Sequence, residues 1–104
     1  MQVLNLGENQ LRSIENAGNA PSLKVLYLHS NKIESIGPKA FYGLKALEYL
    51  DLRWNSLQVI PPTAFEVSSH RWQLRLRSNR ISSLRGAFGM GKCKFQQFKN
   101  FSKS

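Results

Sequence analysis

The chain is organised by one pattern of apolar and polar positions that returns along its length. Residues 23–36 read L-K-V-L-Y-L-H-S-N-K-I-E-S-I, which reduces to L-x-x-L-x-L-x-x-N-x-I-x-x-I. Related stretches begin at residues 1, 47 and 71, and their asparagines stand 22, 24 and 24 residues apart. A repeat of this length predicts a solenoid, in which each copy forms one coil that stacks on the next.

Within each copy the leucines alternate with other residues. A period of two predicts a β-strand with the leucines on one face. We expect the four strands to stack in parallel about 4.8 Å apart and to form one sheet. The leucines expected to face the core are Leu4, Leu6, Leu26, Leu28, Leu50, Leu52, Leu74 and Leu76.

An asparagine follows each predicted strand, where the chain has to turn away from the sheet. Its short side chain carries both an amide donor and a carbonyl acceptor. Buried backbone groups at such a corner need hydrogen-bond partners. We therefore predict a structural ladder, without a catalytic role, formed by Asn9, Asn31, Asn55 and Asn79.

The return segments place Ala-Phe at the same offset in two copies, at residues 40–41 and 64–65. This spacing predicts that Phe41 and Phe65 form an aromatic spine on the outer side of the solenoid. Proline disfavours a long regular helix in these segments. We expect irregular or short helical crossings on the convex side.

The frame of residues 47–65, with Pro61 directly after Ile60, is similar to the 24-residue class of leucine-rich repeats in the ectodomains of Toll-like receptors and variable lymphocyte receptors. The resemblance covers residues 1–84. It implies an α/β solenoid of about four right-handed coils, with a parallel β-sheet on a concave face that binds other macromolecules. The predicted repeats occupy residues 1–22, 23–46, 47–70 and 71–84.

Both ends of the chain depart from this frame. Met1 occupies the first leucine position, so we expect a fragment of a larger receptor or secreted binding protein. Arg71 replaces a core leucine, and we expect Trp72 to move inward to fill the space. Residues 85–104 are basic and contain glycine and phenylalanine, which predicts a partial cap or a disordered tail. Phe95, Phe98 and Phe101 have the spacing of one side of a short helix.

The net charge is +9 and lies mainly in the second half of the chain. Residues 47–104 hold 10 basic and 3 acidic residues, a net of +7, against +2 for residues 1–46. A basic half can attract an anionic partner. The sequence contains no apolar run long enough to span a membrane and no leader peptide. An extracellular or cell-surface location is expected if the chain belongs to a receptor ectodomain.

The sequence predicts neither an enzyme nor a cofactor, metal or small-molecule substrate. Residues 86–93 resemble a phosphate-binding loop, but Cys93 stands where a hydroxyl is needed for magnesium. No acidic residue follows to complete such a metal site. His29 and His70 have no cysteine or carboxylate at metal-binding spacing.

The outward side chains of the predicted strands are the candidate binding site. They include several Tyr, Trp and Arg residues, the types that dominate protein–protein interfaces. We expect a protein ligand on this face, with aromatic side chains as anchors, arginines paired with carboxylates and Asp51 setting the register. The predicted ligand-binding residues are Tyr27, His29, Tyr49, Asp51, Arg53, Trp54, Arg75 and Arg77.

Two alternatives remain. A basic surface could bind an anionic polymer, either nucleic acid or sulfated glycan, through Arg53, Arg71, Arg75, Arg77, Arg80 and Arg85. The chain could also be an incomplete fragment without independent function, because four uncapped coils bury a small core.

Overall fold

The computed structural model of the chain describes residues 2–61, 64 and 72–81, together with the backbone of residues 93–96. Several residues of the sequence predictions lie outside these ranges. They are Phe65, His70, Arg71, Arg85, Phe98 and Phe101.

A parallel sheet of five strands dominates the described structure. The strand order is β1-β3-β5-β6-β7, which follows the chain apart from the short β2 and β4. The strands of this sheet are β1 (Gln2–Asn5), β3 (Leu23–Tyr27), β5 (Tyr49–Asp51), β6 (Trp72–Arg75) and β7 (Cys93–Gln96). The first four lie in the leucine-bearing stretches, which confirms the strands that the period of two predicts.

A second sheet, of two strands, lies further along the first two copies of the pattern. Strand β2 (Ser13–Ile14) pairs in parallel with β4 (Ser35–Ile36). The backbone of residue 34 continues this pairing, because its N–H donates to the carbonyl of Arg12 at 2.8 Å. Successive copies of the pattern therefore lie side by side along more than their leucine-bearing strands.

The core is built from the leucines on one face of the large sheet and from apolar residues of the return segments. The six predicted core leucines of β3, β5, β6 and their flanks are buried, at most 4% exposed, which confirms their orientation. Burying one such side chain stabilises the fold by about 1.5–3 kcal/mol. These residues are Leu26, Leu28, Leu50, Leu52, Leu74 and Leu76.

Leu4 lies in register with the core residue Leu26, but the expectation that Leu4 and Leu6 are core residues was wrong. Leu4 is 44% exposed and Leu6 is 37% exposed, although they occupy the same positions as the buried leucines. Strand β1 has a neighbour on one side only, namely β3. A leucine is covered by the coils on both of its sides, so one neighbour leaves it partly open to solvent.

The asparagine side chains connect adjacent coils at the corner after each strand. Asn55 donates from Nδ2 to the carbonyl of its own Leu52 and to that of Leu28 in the preceding coil, both at 3.0 Å. Its Oδ1 accepts the backbone N–H of Ile33 at 3.0 Å. Asn31 and Asn79 repeat this arrangement one coil earlier and one coil later. Asn9 is exposed, and among the described residues its side chain bonds only to carbonyls of its own coil, those of Leu6 and Gly7.

The return segments are irregular, and the described residues contain no helix. Residues 38–43 form turns, and Phe41 is buried in the core. Ala40 and Ala64 are fully buried, and the N–H of Phe41 donates to the carbonyl of Ala64 at 2.9 Å. The spine that pairs Phe41 with Phe65 cannot be followed, since Phe65 lies outside the described residues.

Strand β7 corrects the prediction for the tail. Leu74 pairs with Phe95 and Arg75 with Gln96, so the backbone of residues 93–96 extends the sheet. A helix through Phe95 is therefore excluded. Trp72 is only 4% exposed although its counterparts Lys24 and Glu48 are not buried, as expected if it moves inward beside the Arg71 position.

Candidate protein-binding face

The strand register places the outward side chains in columns that cross the sheet. The first column contains Val3, Val25, Tyr49 and Gln73, and the second contains Asn5, Tyr27, Asp51 and Arg75. Backbone hydrogen bonds continue beyond the strands, for example from the N–H of Trp54 to the carbonyl of Arg77 at 3.0 Å. They align a third column of Gly7, His29, Arg53 and Arg77, followed by a fourth of Glu8, Ser30, Trp54 and Ser78. We call the surface of these four columns the outer sheet face.

Three aromatic side chains form a continuous row on the outer sheet face. The ring of Tyr27 meets Tyr49 edge to face at a centroid distance of 5.8 Å and meets His29 at 6.0 Å. Such contacts add about 0.5–1.5 kcal/mol each beyond the area that they bury. We call His29, Tyr27 and Tyr49 the aromatic row. It crosses from β3 to β5 and presents partly exposed apolar edges.

Gly7 makes room for one end of the aromatic row. A Cβ atom at Gly7 would lie 2.5 Å from Nε2 of His29, closer than any stable contact. The absence of a side chain at residue 7 therefore lets the imidazole lie against the first coil. Nδ1 of His29 lies 3.4 Å from the hydroxyl of Ser30, which helps to orient the ring.

Arg75 lies at the other end of the aromatic row. Its Nη1 donates to the hydroxyl of Tyr49 at 3.0 Å, which ties the guanidinium of β6 to the ring of β5. Its Nε is buried and, among the described residues, has no hydrogen-bond partner. The aromatic row thus ends in a cation with a fixed orientation.

Asp51 departs from the prediction of an outward, ligand-binding carboxylate. It occupies the second column as expected, but its side chain is fully buried. The Arg53 guanidinium donates from Nε to Oδ1 at 2.9 Å and from Nη2 to Oδ2 at 2.7 Å. The backbone N–H of Arg53 donates a third bond to Oδ1, at 3.1 Å. The Asp51 carboxylate is therefore hydrogen-bonded within the protein and does not face a ligand.

The bonds to Asp51 raise the pKa of Arg53 above its usual value. The hydrogen bond between the side chains is the main cause, and the attraction of the carboxylate adds to it, while partial burial acts in the opposite direction. A carboxylate favours the charged form of a neighbouring base. The Arg53 guanidinium therefore stays protonated throughout the physiological pH range.

Trp54 is the most exposed of the predicted anchors. Its side chain is 55% exposed, and its backbone has a φ of +61°. The residues at the same position of the other coils share this conformation: Glu8, Ser30 and Ser78 have φ values of +58° to +61°. A bulky residue in the left-handed region is unusual and costs about 1–2 kcal/mol. Trp54 thus displays a large ring at a place where the backbone disfavours it.

The basic residues separate into two groups. Arg53, Arg75 and Arg77 lie in adjacent positions of the outer sheet face, and Arg77 makes no ion pair within the described part of the chain. Arg80 is exposed and follows Asn79, beyond the columns. Arg71 and Arg85, which the anionic-polymer alternative also uses, lie outside the described residues.

The sequence interpretation missed the first column except for Tyr49. Val3 is 54% exposed and Val25 is partly exposed, and both lie in register with Tyr49. They extend the apolar part of the outer sheet face towards the first coil. The sequence could have revealed this column, because Val3, Val25 and Tyr49 each directly precede the first core leucine of their repeat.

The described residues offer no metal site and no membrane span. No group of three His, Cys, Asp or Glu side chains among them could hold a metal ion. In the same part of the chain no helix has the length and apolar character needed to cross a bilayer.

Two family models match the chain. One, described as leucine rich repeat, covers residues 21–81, and the other, described as leucine rich repeats in two copies, covers residues 1–40. Together they include strands β1 to β6 and every coil that contributes a residue to the outer sheet face.

Several human proteins are similar to the chain. "Leucine-rich repeats and immunoglobulin-like domains protein 3" of Homo sapiens is 33% identical over 83% of this chain and 8% of its own length. Human "Podocan-like protein 1" is 35% identical over 84% of this chain and 17% of its own length. Human "Toll-like receptor 6" is 46% identical over 57% of this chain and 7% of its own length. The chain therefore spans less than a fifth of each of these relatives.

Proposed function

Because the chain belongs to the leucine-rich repeat family, we propose that it is a protein-recognition module that binds a protein ligand on the outer sheet face. One observation carries the proposal: aromatic rings and guanidinium groups are gathered on a single exposed face of the sheet. Relatives named as receptors support a role in binding rather than in catalysis.

The composition of the face supports this role. Tyr, Trp and Arg are the residues most often found at interface hot spots. The row of His29, Tyr27 and Tyr49 is pre-ordered by edge-to-face contacts, so less side-chain entropy is lost on binding. Trp54 adds a large exposed ring beside Arg53. The face thus combines apolar anchors with charges that orient a partner.

We also propose the domain boundaries that the repeat pattern predicts. Residues 1–84 form four coils with limits near residues 22, 46 and 70, and residues 85–104 form a separate C-terminal segment, in which β7 extends the sheet. A right-handed path is favoured, because connections between parallel strands of one sheet are right-handed in nearly all proteins. Parallel pairing of β1, β3, β5 and β6 supports this arrangement.

We further propose that the chain acts as part of a larger extracellular receptor or secreted binding protein. The names of Toll-like receptor 6 and Reticulon-4 receptor-like 2 identify receptors among the relatives, and the chain matches only 7% and 20% of their lengths. A recognition face made of several coils is suited to insertion in such a longer array.

The test uses a protein ligand isolated by affinity selection against the 104-residue chain. Trp54→Ala should weaken binding by about 2 kcal/mol or more, because an anchor at an interface hot spot contributes that much. Unchanged affinity, together with an intact circular dichroism spectrum, would remove the outer sheet face as the binding surface.

A further inference from the structure

We propose that the outer sheet face selects a protein segment that carries an acidic side chain about 10 Å from an apolar one. The acidic group pairs with Arg75 and Arg77, and the apolar group lies on the aromatic row. This inference rests on the proposed function, since it specifies the chemistry of the ligand for the same face.

Within the described part of the chain, the positive charge of Arg75 and Arg77 is not compensated by a neighbouring carboxylate. Asp51 is the only acidic residue in the first three columns. Both of its oxygens are bonded to Arg53, and it is fully buried. Among the described residues, neither Arg75 nor Arg77 has a carboxylate partner. Two positive charges are therefore left for a ligand.

The two arginines are placed to act together. They lie two residues apart along β6 and its extension, so their side chains leave the same face of the sheet. The hydroxyl of Tyr49 holds Nη1 of Arg75, and this bond fixes the guanidinium before a ligand arrives. A guanidinium of fixed orientation matches the two oxygens of a carboxylate, which it can bind through paired hydrogen bonds.

An apolar part of the outer sheet face lies next to these cations. It consists of the aromatic row together with Val3 and Val25. Tyr27 lies on β3 and Arg75 on β6, two strand spacings apart in the sheet order. At about 4.8 Å per spacing, these groups are about 10 Å apart, which is about three residues of an extended peptide.

This layout favours a protein segment over a sulfated or nucleic acid polymer. A polyanion gains affinity by neutralising many charges in a row. On the described outer sheet face, only Arg75 and Arg77 are cations without a carboxylate partner, and their neighbours on the adjacent strand are the mutually paired Asp51 and Arg53. One carboxylate and one apolar side chain on a short segment match this surface more closely.

The experiment screens a random dodecapeptide display library against the 104-residue chain. Counter-screens use Arg75→Gln, Arg77→Gln and, as a matched control, Arg80→Gln, which removes an exposed cation beyond the columns. Enriched peptides should place Asp or Glu about three residues from an aromatic or aliphatic residue. Loss of Arg75 or Arg77 should reduce their affinity at least about tenfold, as expected for a charge-assisted contact, whereas Arg80→Gln should leave it unchanged.

Three other outcomes would each contradict one part of the proposal. Enriched neutral peptides that depend on Tyr27 or Trp54 would overturn the acidic ligand and keep the proposed function. Peptides insensitive to every substitution on the outer sheet face would overturn both. A heparin-derived hexasaccharide that binds more tightly than the best peptide, and loses affinity in Arg80→Gln as well as in Arg77→Gln, would assign the surface to an anionic polymer.

Discussion

The Arg53 guanidinium holds the buried Asp51 carboxylate through two hydrogen bonds, of 2.9 Å and 2.7 Å. The Asp51 side chain is 0% exposed, whereas that of Arg53 is 29% exposed and shields it from solvent. An acidic residue between the core leucines Leu50 and Leu52 thus has its hydrogen-bond partner close by, in the residue two positions later. The pair stabilises the coil and also sets how much positive charge the outer sheet face retains.

Removing one partner of this pair should cost more than removing both. Arg53→Met leaves the Asp51 carboxylate buried without its cation, and we expect the free energy of unfolding to fall by about 3 kcal/mol or more. The double variant Arg53→Met/Asp51→Leu should recover most of this loss. Urea denaturation measures both. If the single and double variants lost the same free energy of unfolding, the unpaired Asp51 carboxylate would not be the cause of the loss.

The asparagine ladder predicts that substitution of Asn55 lowers stability more than substitution of Asn9. Asn55→Ala removes the bonds to Leu28 and Ile33 of the preceding coil. It leaves the buried N–H of Ile33 without its acceptor, whereas the Leu28 carbonyl keeps its bond from Asn31. One unpaired buried group costs about 1–3 kcal/mol and each lost hydrogen bond about 0.5–1.5 kcal/mol, so we expect a total loss of about 2 kcal/mol or more. Asn9→Ala, at an exposed position, should cost much less. Similar losses in thermal or urea unfolding would contradict a ladder that links the coils.

A buried and an exposed leucine at the same position of the pattern give a third stability test. Leu50 is fully buried, and Leu50→Ala should lower the free energy of unfolding by about 2–5 kcal/mol. Leu4 occupies the same position of its copy but is 44% exposed, so Leu4→Ala should cost clearly less. A loss at Leu4 as large as that at Leu50 would mean that the first coil is covered in solution.

Trp54 is predicted to serve binding more than stability. Its φ of +61° suits asparagine better than tryptophan. Trp54→Asn should therefore keep the free energy of unfolding within about 1 kcal/mol of the parent chain, although it removes a large ring. A loss of several kcal/mol in urea unfolding would show instead that the ring is a structural element.

Much of the fold can be predicted because its determinants are local. The alternation of Leu26 and Leu28 specifies a strand and its buried face, and the asparagine three residues after Leu28 marks the turn. The exposure of Leu4 depends on whether coils cover it on both sides, and the residues of its own repeat do not determine that. Strand β7 was missed because its sequence lacks the alternating leucines of the other copies, and Cys93 follows its partner Trp72 by 21 residues rather than 24.

The candidate site is less predictable than the fold, because it depends on side chains that meet across strands. The period of two correctly places Asp51 in an outward column. It cannot show that Arg53 folds back and covers the carboxylate, since that contact depends on side-chain rotamers. In the same way, the bond between Arg75 and Tyr49 joins residues 26 positions apart and depends on the strand register.

The central claim is that ligands bind the outer sheet face, and an amide and side-chain NMR footprint of the selected protein ligand on the labelled 104-residue chain tests it most directly. We predict chemical-shift changes and protection at Tyr27, Tyr49, Trp54 and Arg77, and none at the convex turn that contains the exposed Tyr42. A footprint centred on Tyr42 and residues 38–43, with the outer sheet face unperturbed, would contradict the account.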